Sequence, residues 1–220
     1  MIRGALITHN TFGLPDIFWR EARFCLNPAT ELTYMLDPSG PVTVRLPADL
    51  RGAVIKRRSE YLAGRAVAAL ALREAGLPEQ VGRRDRAPLW PKGSTGSISH
   101  TDTRVIAVVS RSHAGLGVDC ETIMTPSQAA EIHPMVLTPA EAGQHPGILS
   151  FSAFLTLVFS AKEALYKAVS ARLERIPEFC EATLTSMSAD TLHLDFEGAI
   201  YVAHYNIDAL ECLTLVQLRE

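Results

Sequence analysis

The sequence predicts an α+β fold, in which long helices and antiparallel strands follow one another along the chain. One helix is indicated between Pro47 and Gly76, where apolar residues recur at helical spacing and Gly76-Leu-Pro78 provides a stop signal. A second is indicated across residues 159–168, which carry an apolar stripe. Stretches near the end of the chain alternate or run apolar between turn residues, as antiparallel strands do: 182–187, 191–196, 199–205 and 212–218.

Weaker signals complete the expected element order. Short apolar runs separated by prolines fill the first 46 residues, where Tyr34, Val42 and Val44 hint at strands. Residues 104–110 and 116–118 are typical of buried strands joined by a turn. Thr138 followed by Pro139 has the pattern of a helix start, with the threonine as cap.

Composition excludes several classes of protein. The 220-residue chain has a formal net charge of -3, which argues against a general nucleic-acid binder. Its four cysteines are scattered and contain no C-x-x-C pair, so neither a zinc site nor a disulfide framework is indicated. The uncharged stretch 147–161 is too short to span a bilayer, and no signal peptide is evident. We therefore expect a cytoplasmic protein without a membrane span.

The helix across residues 159–168 carries the first candidate chemistry. Glu163 and Lys167 lie one turn apart on a face that adjoins the apolar stripe, and Lys162 falls at the edge of that stripe. A half-buried ammonium needs a negative partner, because an unpaired buried charge is costly. An anion, or a metal with an anion, is one interpretation; an ordinary helix ion pair is the other.

Two carboxylates follow the predicted strand 116–118. Asp119 and Glu121 are separated by one residue, so in an extended segment both side chains point to the same side. Two convergent carboxylates suit a hard cation such as Mg2+. A solvated strand end is the competing interpretation, since the D-x-E pattern alone is common.

Cations are concentrated in two places. Residues 56–65 contain four, of which Arg58 and Arg65 share a helix face, and guanidinium groups match phosphate oxygens. A cation-bearing loop rich in proline follows at residues 83–93, and Ser99 and His100 come after it. The alternatives are a solvated basic face and a histidine satisfied within the core.

Taken in order, these segments resemble the 4'-phosphopantetheinyl transferases, specifically the larger pseudo-dimeric class that serves nonribosomal peptide and siderophore synthesis. The segments that carry the resemblance are 57–65, 88–91, 96–100, 117–121 and 159–167. The resemblance implies two pseudo-symmetric halves, 1–113 and 114–220, each a small antiparallel sheet packed with helices. It also implies that coenzyme A lies in the cleft between them.

The implied reaction moves the 4'-phosphopantetheine arm of coenzyme A to a serine of an acidic apo aryl or peptidyl carrier protein. By this resemblance Asp119, Glu121 and Glu163 hold Mg2+, and Glu163 also acts as the general base. Lys162, Lys167 and His100 contact the pyrophosphate, with Ser99 among the coenzyme A-binding residues. Arg57 and Arg65 bind the 3'-phosphate. The enzyme is expected to be a monomer.

One departure concerns the loop before Pro88, where relatives often carry a Gly-Asp-Lys lysine. The sequence here is Arg83-Arg-Asp-Arg86, so we expect Arg86 to substitute for that lysine, with Arg84 as the alternative. Two other functions are considered. One keeps the chemistry but modifies fatty-acid or polyketide carriers; the other is a non-catalytic module that binds coenzyme A or a nucleotide.

Overall fold

The computed structural model describes residues 2–35, 40–84, 87–173, 175 and 177–219. It divides into two compact units, Met1–His113 and Ala114–Glu220. Each unit combines an antiparallel sheet with a long helix, which confirms the predicted α+β fold of two halves. No helix in the described ranges is both long and apolar enough to cross a membrane.

The first unit contains one long helix and several strands. Its main sheet has the order β1-β2-β8-β7, and β3 with β4 and β5 with β6 form separate hairpins. The elements are β1 (Ile2–Ile7), β2 (Phe18–Phe24), β3 (Glu31–Tyr34), β4 (Val42–Arg45), α1 (Ile55–Glu74), β5 (Gly82–Arg84), β6 (Ala87–Leu89), β7 (Thr95–His100) and β8 (Arg104–Ser110).

Helix α1 begins later than the sequence suggests. Ala48–Leu50 form only a short 3-10 turn, and Val54, whose ψ of 152° is extended, precedes the first helical residue. The helix ends where expected, because Gly76 takes a left-handed φ of +67°. Its apolar face packs on the main sheet in a core that includes Leu62, Ala66, Val67, Leu70, Val105 and Ala107.

The segment 83–93, expected as a loop, is partly strand. Residues 83–93 contain the β5-β6 hairpin. Residues 96–100 belong to β7, which pairs with β8 along its length. The proline in the short strand β6 does not prevent pairing. It has no N–H to donate, but each strand of a two-stranded sheet is an edge strand, where proline is tolerated.

The second unit has a sheet in the order β10-β11-β12-β13-β9. The four predicted strands near the end of the chain are confirmed, with β12 and β13 slightly longer than expected. The elements are β9 (Gly115–Thr122), α2 (Pro126–Val136), α3 (Pro139–Ala142), α4 (Phe151–Val169), β10 (Ala182–Met187), β11 (Thr191–Phe196), β12 (Ala199–Ile207) and β13 (Glu211–Leu218).

Capping defines the helices of this unit. Thr138 caps α3 as predicted, with Pro139 at its first position and Glu141 completing a capping box. Ser150 caps α4 by accepting from the Ala153 amide. The apolar face of α4 packs on the sheet in a core that includes Leu157, Val158, Leu165, Leu194, Ala203 and Val216.

Candidate active site

Strand β9 approaches α4 closely because Gly115 and Gly117 lack side chains. A Cβ atom on Gly117 would lie 1.8 Å from the carbonyl oxygen of Ala164, and one on Gly115 would lie 2.2 Å from that of Ala168. Both distances are far below van der Waals contact, so a side chain cannot be placed at either position without moving backbone. The close approach places the end of β9, with its two carboxylates, against α4.

Asp119 is hydrogen-bonded at both carboxylate oxygens. Lys167 Nζ donates to Asp119 Oδ1 at 2.6 Å and to the Val118 carbonyl oxygen at 3.2 Å. Ser160 Oγ donates to Asp119 Oδ2 at 2.8 Å. Both carboxylate oxygens are therefore held by residues of α4, and the side chain is only 4% exposed.

The electrostatics of the site show an excess of negative charge. Burial, followed by the negative charge of Asp119, raises the pKa of Glu121 to about 7, against the opposing effect of Lys167. Burial also raises the pKa of Glu163, again opposed by Lys167. Burial lowers the pKa of Lys167, but Asp119 and Glu163 outweigh it, so the net shift is upward. The three carboxylates therefore share one nearby ammonium, and a further cation would lower their repulsion.

The carboxylates suit Mg2+ by their chemistry, because hard oxygen ligands are those that this ion prefers. They do not form a ready coordination shell: among the described residues, no three His, Cys, Asp or Glu side chains are arranged to hold a metal ion. The ammonium of Lys167 lies against Asp119 Oδ1 instead. A metal at this site would share Asp119 with Lys167 or displace its ammonium.

Lys162 does not face this cluster. Its ammonium is fully buried, lies 2.7 Å from Glu141 Oε1 and donates to the Val136 carbonyl oxygen at 2.7 Å. Glu141 is 1% exposed and also accepts from the amides of Thr138 and Leu184. This geometry corrects the expectation that Lys162 contacts a pyrophosphate, because its negative partner is a carboxylate of the protein.

The first unit contains a cavity of about 120 Å³ lined by several cations. Its lining includes Arg57, Arg65, Arg83 and His100, together with Glu60. Glu60 Oε2 lies 3.7 Å from both Arg57 Nη1 and His100 Nε2, so one carboxylate lies near both side chains. The cations outnumber the carboxylates at this cavity, which makes it suited to an anion.

Arg65 is half-buried at this cavity. Its guanidinium lies 5.0 Å from the centre of the Tyr61 ring, and Nη2 donates to the Gly82 carbonyl oxygen at 3.2 Å. Its Nε is buried and has no hydrogen-bond partner among the described residues. Burial, and to a lesser degree Arg83 and Arg57, lowers the pKa of Arg65. An anionic ligand would relieve this crowding of positive charge.

The other residues predicted to bind coenzyme A differ in whether they line this cavity. His100 and Ile98 line the cavity, but Ser99 lies between them on β7 and so faces the opposite side of the strand. Ser99 is therefore not brought to the cavity. Arg86 lies outside the described residues. Of the other two loop arginines, Arg84 is exposed and Arg83 lines the cavity.

Several contributing residues were not identified from the sequence. Glu141 shows only the signal of a capping box. Arg84 and Arg86 were preferred to Arg83 as the loop cation. No local pattern predicts the contact of Ser160 with Asp119. Glu60 and Tyr61 belong to the segment that carries the family resemblance but were given no role. The contacts of Ser160 with Asp119 and of Glu60 with His100 join residues far apart in the chain.

Comparison with known proteins gives consistent matches across both units. The family described as 4'-phosphopantetheinyl transferase N-terminal domain matches residues 46–110. The 4'-phosphopantetheinyl transferase superfamily matches residues 115–215. The two matches cover the cation-lined cavity and the carboxylate cluster respectively.

Curated relatives agree with these matches. Enterobactin synthase component D of Salmonella typhimurium is 45% identical over 149 residues, which are 66% of this chain and 62% of that protein. The protein of the same name from Escherichia coli K12 is 36% identical over 173 residues, 77% of this chain and 82% of that protein. The 4'-phosphopantetheinyl transferase Npt of Nocardia iowensis is 34% identical over 137 residues, 60% of this chain and 61% of that protein. With both halves matched and the resemblance confirmed, the chain belongs to the 4'-phosphopantetheinyl transferase family.

Proposed function

We propose that this protein transfers the 4'-phosphopantetheine arm of coenzyme A to a serine of an apo carrier protein and releases adenosine 3',5'-bisphosphate. The observation that carries the proposal is the half-buried cluster of Asp119, Glu121, Glu163 and Lys167 in the second unit. It combines hard oxygen ligands, a candidate base and a cation, which are the groups that attack on a pyrophosphate requires.

The three carboxylates would hold Mg2+, which neutralises charge on the pyrophosphate when bound. Lys167 would add a second positive charge from the protein, since its pKa is raised and its ammonium persists at neutral pH. Its side chain is 29% exposed, unlike that of Lys162, so it can reach a ligand.

Glu163 would accept the proton of the carrier serine. A carboxylate with an upward-shifted pKa is a better base than an ordinary glutamate, and burial shifts the pKa of Glu163 in that direction. As the serine oxygen bonds to the β-phosphorus, the bond from that phosphorus to the bridging oxygen breaks. The leaving adenosine 3',5'-bisphosphate takes the electron pair, and Glu163 takes the proton.

The cation-lined cavity of the first unit would bind the phosphates of coenzyme A. We assign the 3'-phosphate to Arg57 and Arg65, with Arg83 as the loop cation, because all three line one cavity and burial and the charges of Arg83 and Arg57 lower the pKa of Arg65. His100 would contribute a further donor from the same cavity.

The client is proposed to be an acidic aryl or peptidyl carrier of siderophore synthesis. Support comes from the relatives named enterobactin synthase component D. Fatty-acid or polyketide carriers are the alternative clients. We expect the reaction to take place in the cytoplasm and the enzyme to act as a monomer.

The test is intact-protein mass spectrometry of apo carriers incubated with coenzyme A and Mg2+. The expected gain is one phosphopantetheine, about 340 Da, on an aryl or peptidyl carrier, and it should disappear without metal. Glu163→Gln should reduce the rate by roughly 10²- to 10⁴-fold, whereas Glu131→Gln, on the exposed surface of α2, should not. Coenzyme A binding without any gain on several carriers would favour the non-catalytic binding module.

A further inference from the structure

Two buried hydroxyl groups connect Asp119 to the middle of α4 and to β13. Ser160 Oγ lies 2.8 Å from Asp119 Oδ2 and 2.9 Å from Thr214 Oγ1. Thr214 Oγ1 lies 2.9 Å from the carbonyl oxygen of Ser160. Ser160 and Thr214 have no exposed surface, so water does not compete for these bonds.

The positions of the protons follow from the number of donors. An ionised carboxylate and a carbonyl oxygen can only accept, and each hydroxyl has one proton. Ser160 therefore donates to Asp119, and Thr214 donates towards the carbonyl oxygen and the hydroxyl of Ser160. The order of donation is Thr214 to Ser160 to Asp119.

Ser160 departs from the usual behaviour of a hydroxyl within a helix. Such a side chain commonly bonds back to the carbonyl oxygen four residues earlier. Thr156, one turn before on the same helix, does so with Ser152 at 2.6 Å. Ser160 instead directs its proton at a carboxylate on β9. Register supports the arrangement, because Thr214 pairs directly opposite Asp119 in the sheet.

We propose that Ser160, supported by Thr214, is a positioning residue that holds Asp119 through Oδ2 with a neutral donor, so that a divalent cation at Asp119 has to share the carboxylate only with the Lys167 ammonium at Oδ1 or displace it, and not with a second cation at Oδ2. A neutral hydroxyl can orient a carboxylate without competing for the site, which a second ammonium would do. Groups that hydrogen-bond a metal ligand contribute to metal affinity in this way. The inference rests on the proposed function, since it assumes that Asp119 binds metal.

The test measures Mn2+ binding by electron paramagnetic resonance, without coenzyme A or carrier. Ser160→Ala should raise the Kd for Mn2+ by about tenfold, at the lower end of the range for residues that support metal ligands. Thr214→Val should raise the Kd by a smaller factor, and Thr214→Ser, which keeps the hydroxyl, should restore wild-type binding. Thr156→Val is the matched control, because it removes a buried hydroxyl of α4 that does not contact Asp119.

Wild-type Mn2+ affinity in folded Ser160→Ala would overturn the inference. Equal losses in Thr214→Ser and Thr214→Val would also overturn it, and this pair decides the matter if Ser160→Ala does not fold. Absence of Mn2+ binding by the wild-type protein would instead overturn the proposed metal site, and the inference with it.

Discussion

The ammonium of Lys162 and the carboxylate of Glu141 are 2.7 Å apart in the core of the second unit, with side-chain exposures of 0% and 1%. The pair connects α4 to α3, and Glu141 extends the connection to the Leu184 amide on β10. Lys162 precedes Glu163 in the sequence, but its side chain points to Glu141 and not into the carboxylate cluster. The pair therefore stabilises the helix that carries the candidate base.

Removal of one member of this pair should lower the free energy of unfolding. Lys162→Met leaves Glu141 buried without its cation and should lower the free energy of unfolding by about 3–5 kcal/mol. The double variant Lys162→Met with Glu141→Leu should recover much of that loss. Arg175→Met is the control, because its ion pair with Glu181 lies on the surface and should contribute at most about 1 kcal/mol. Urea unfolding measures all three, and equal losses in Lys162→Met and Arg175→Met would contradict the expectation.

The pKa of Glu121 predicts a pH dependence of stability. Its folded value of about 7 lies above the ordinary 4.5, so the folded protein binds more protons than the unfolded chain between these values. Stability should therefore be greatest below the lower value and fall as the pH rises through the window. Thermal unfolding across this range should show the fall in wild type and a weaker one in Glu121→Gln.

Mg2+ should counteract that loss of stability. Its ligands must be deprotonated, so the stabilisation by Mg2+ should be larger at about pH 7.5 than at about pH 5.5. For the pH dependence itself, an identical fall of stability with pH in wild type and Glu121→Gln would show that a group other than Glu121 causes it.

The cation-lined cavity leads to a prediction about coenzyme A. Arg65→Ala should weaken coenzyme A binding by roughly ten- to hundredfold, the value of a charge-assisted contact, and should affect 3'-dephospho-coenzyme A far less. Arg83→Ala should also weaken binding, whereas Arg84→Ala, outside the cavity, should not. Isothermal titration calorimetry with both ligands separates these cases. Equal losses for the two ligands in Arg65→Ala would contradict the assignment of the 3'-phosphate.

Gly117 should tolerate no side chain. A Cβ atom at this position would overlap the Ala164 carbonyl oxygen, so Gly117→Ala should destabilise the second unit by about 1–3 kcal/mol or more and disturb the carboxylate cluster. Gly143→Ala is the matched control, because its Cβ would lie at an ordinary 3.4 Å from the nearest atom. Denaturant unfolding of the two variants provides the comparison, and similar stabilities would contradict the packing argument.

Much of the fold could be predicted because its signals are local. The cap at Thr138, the strands near the end of the chain and the α4 helix follow from residue types and periodicity over a few positions. The start of α1 was misjudged because Leu50 belongs to a 3-10 turn and Val54 is extended. Periodicity does not distinguish these from a first helical turn.

Spacing alone paired Asp119 with Glu121 and Glu163 with Lys167, because side-chain direction in strands and helices follows from it. The family resemblance then implied that the two pairs belong to one site. Folding settled how these groups pair: Lys167 with Asp119, Ser160 behind the same carboxylate, Lys162 with Glu141. It likewise turned Ser99 away from the cavity that His100 and Arg83 line. Such choices depend on contacts between residues far apart in the chain, and only packing of the whole unit sets those contacts.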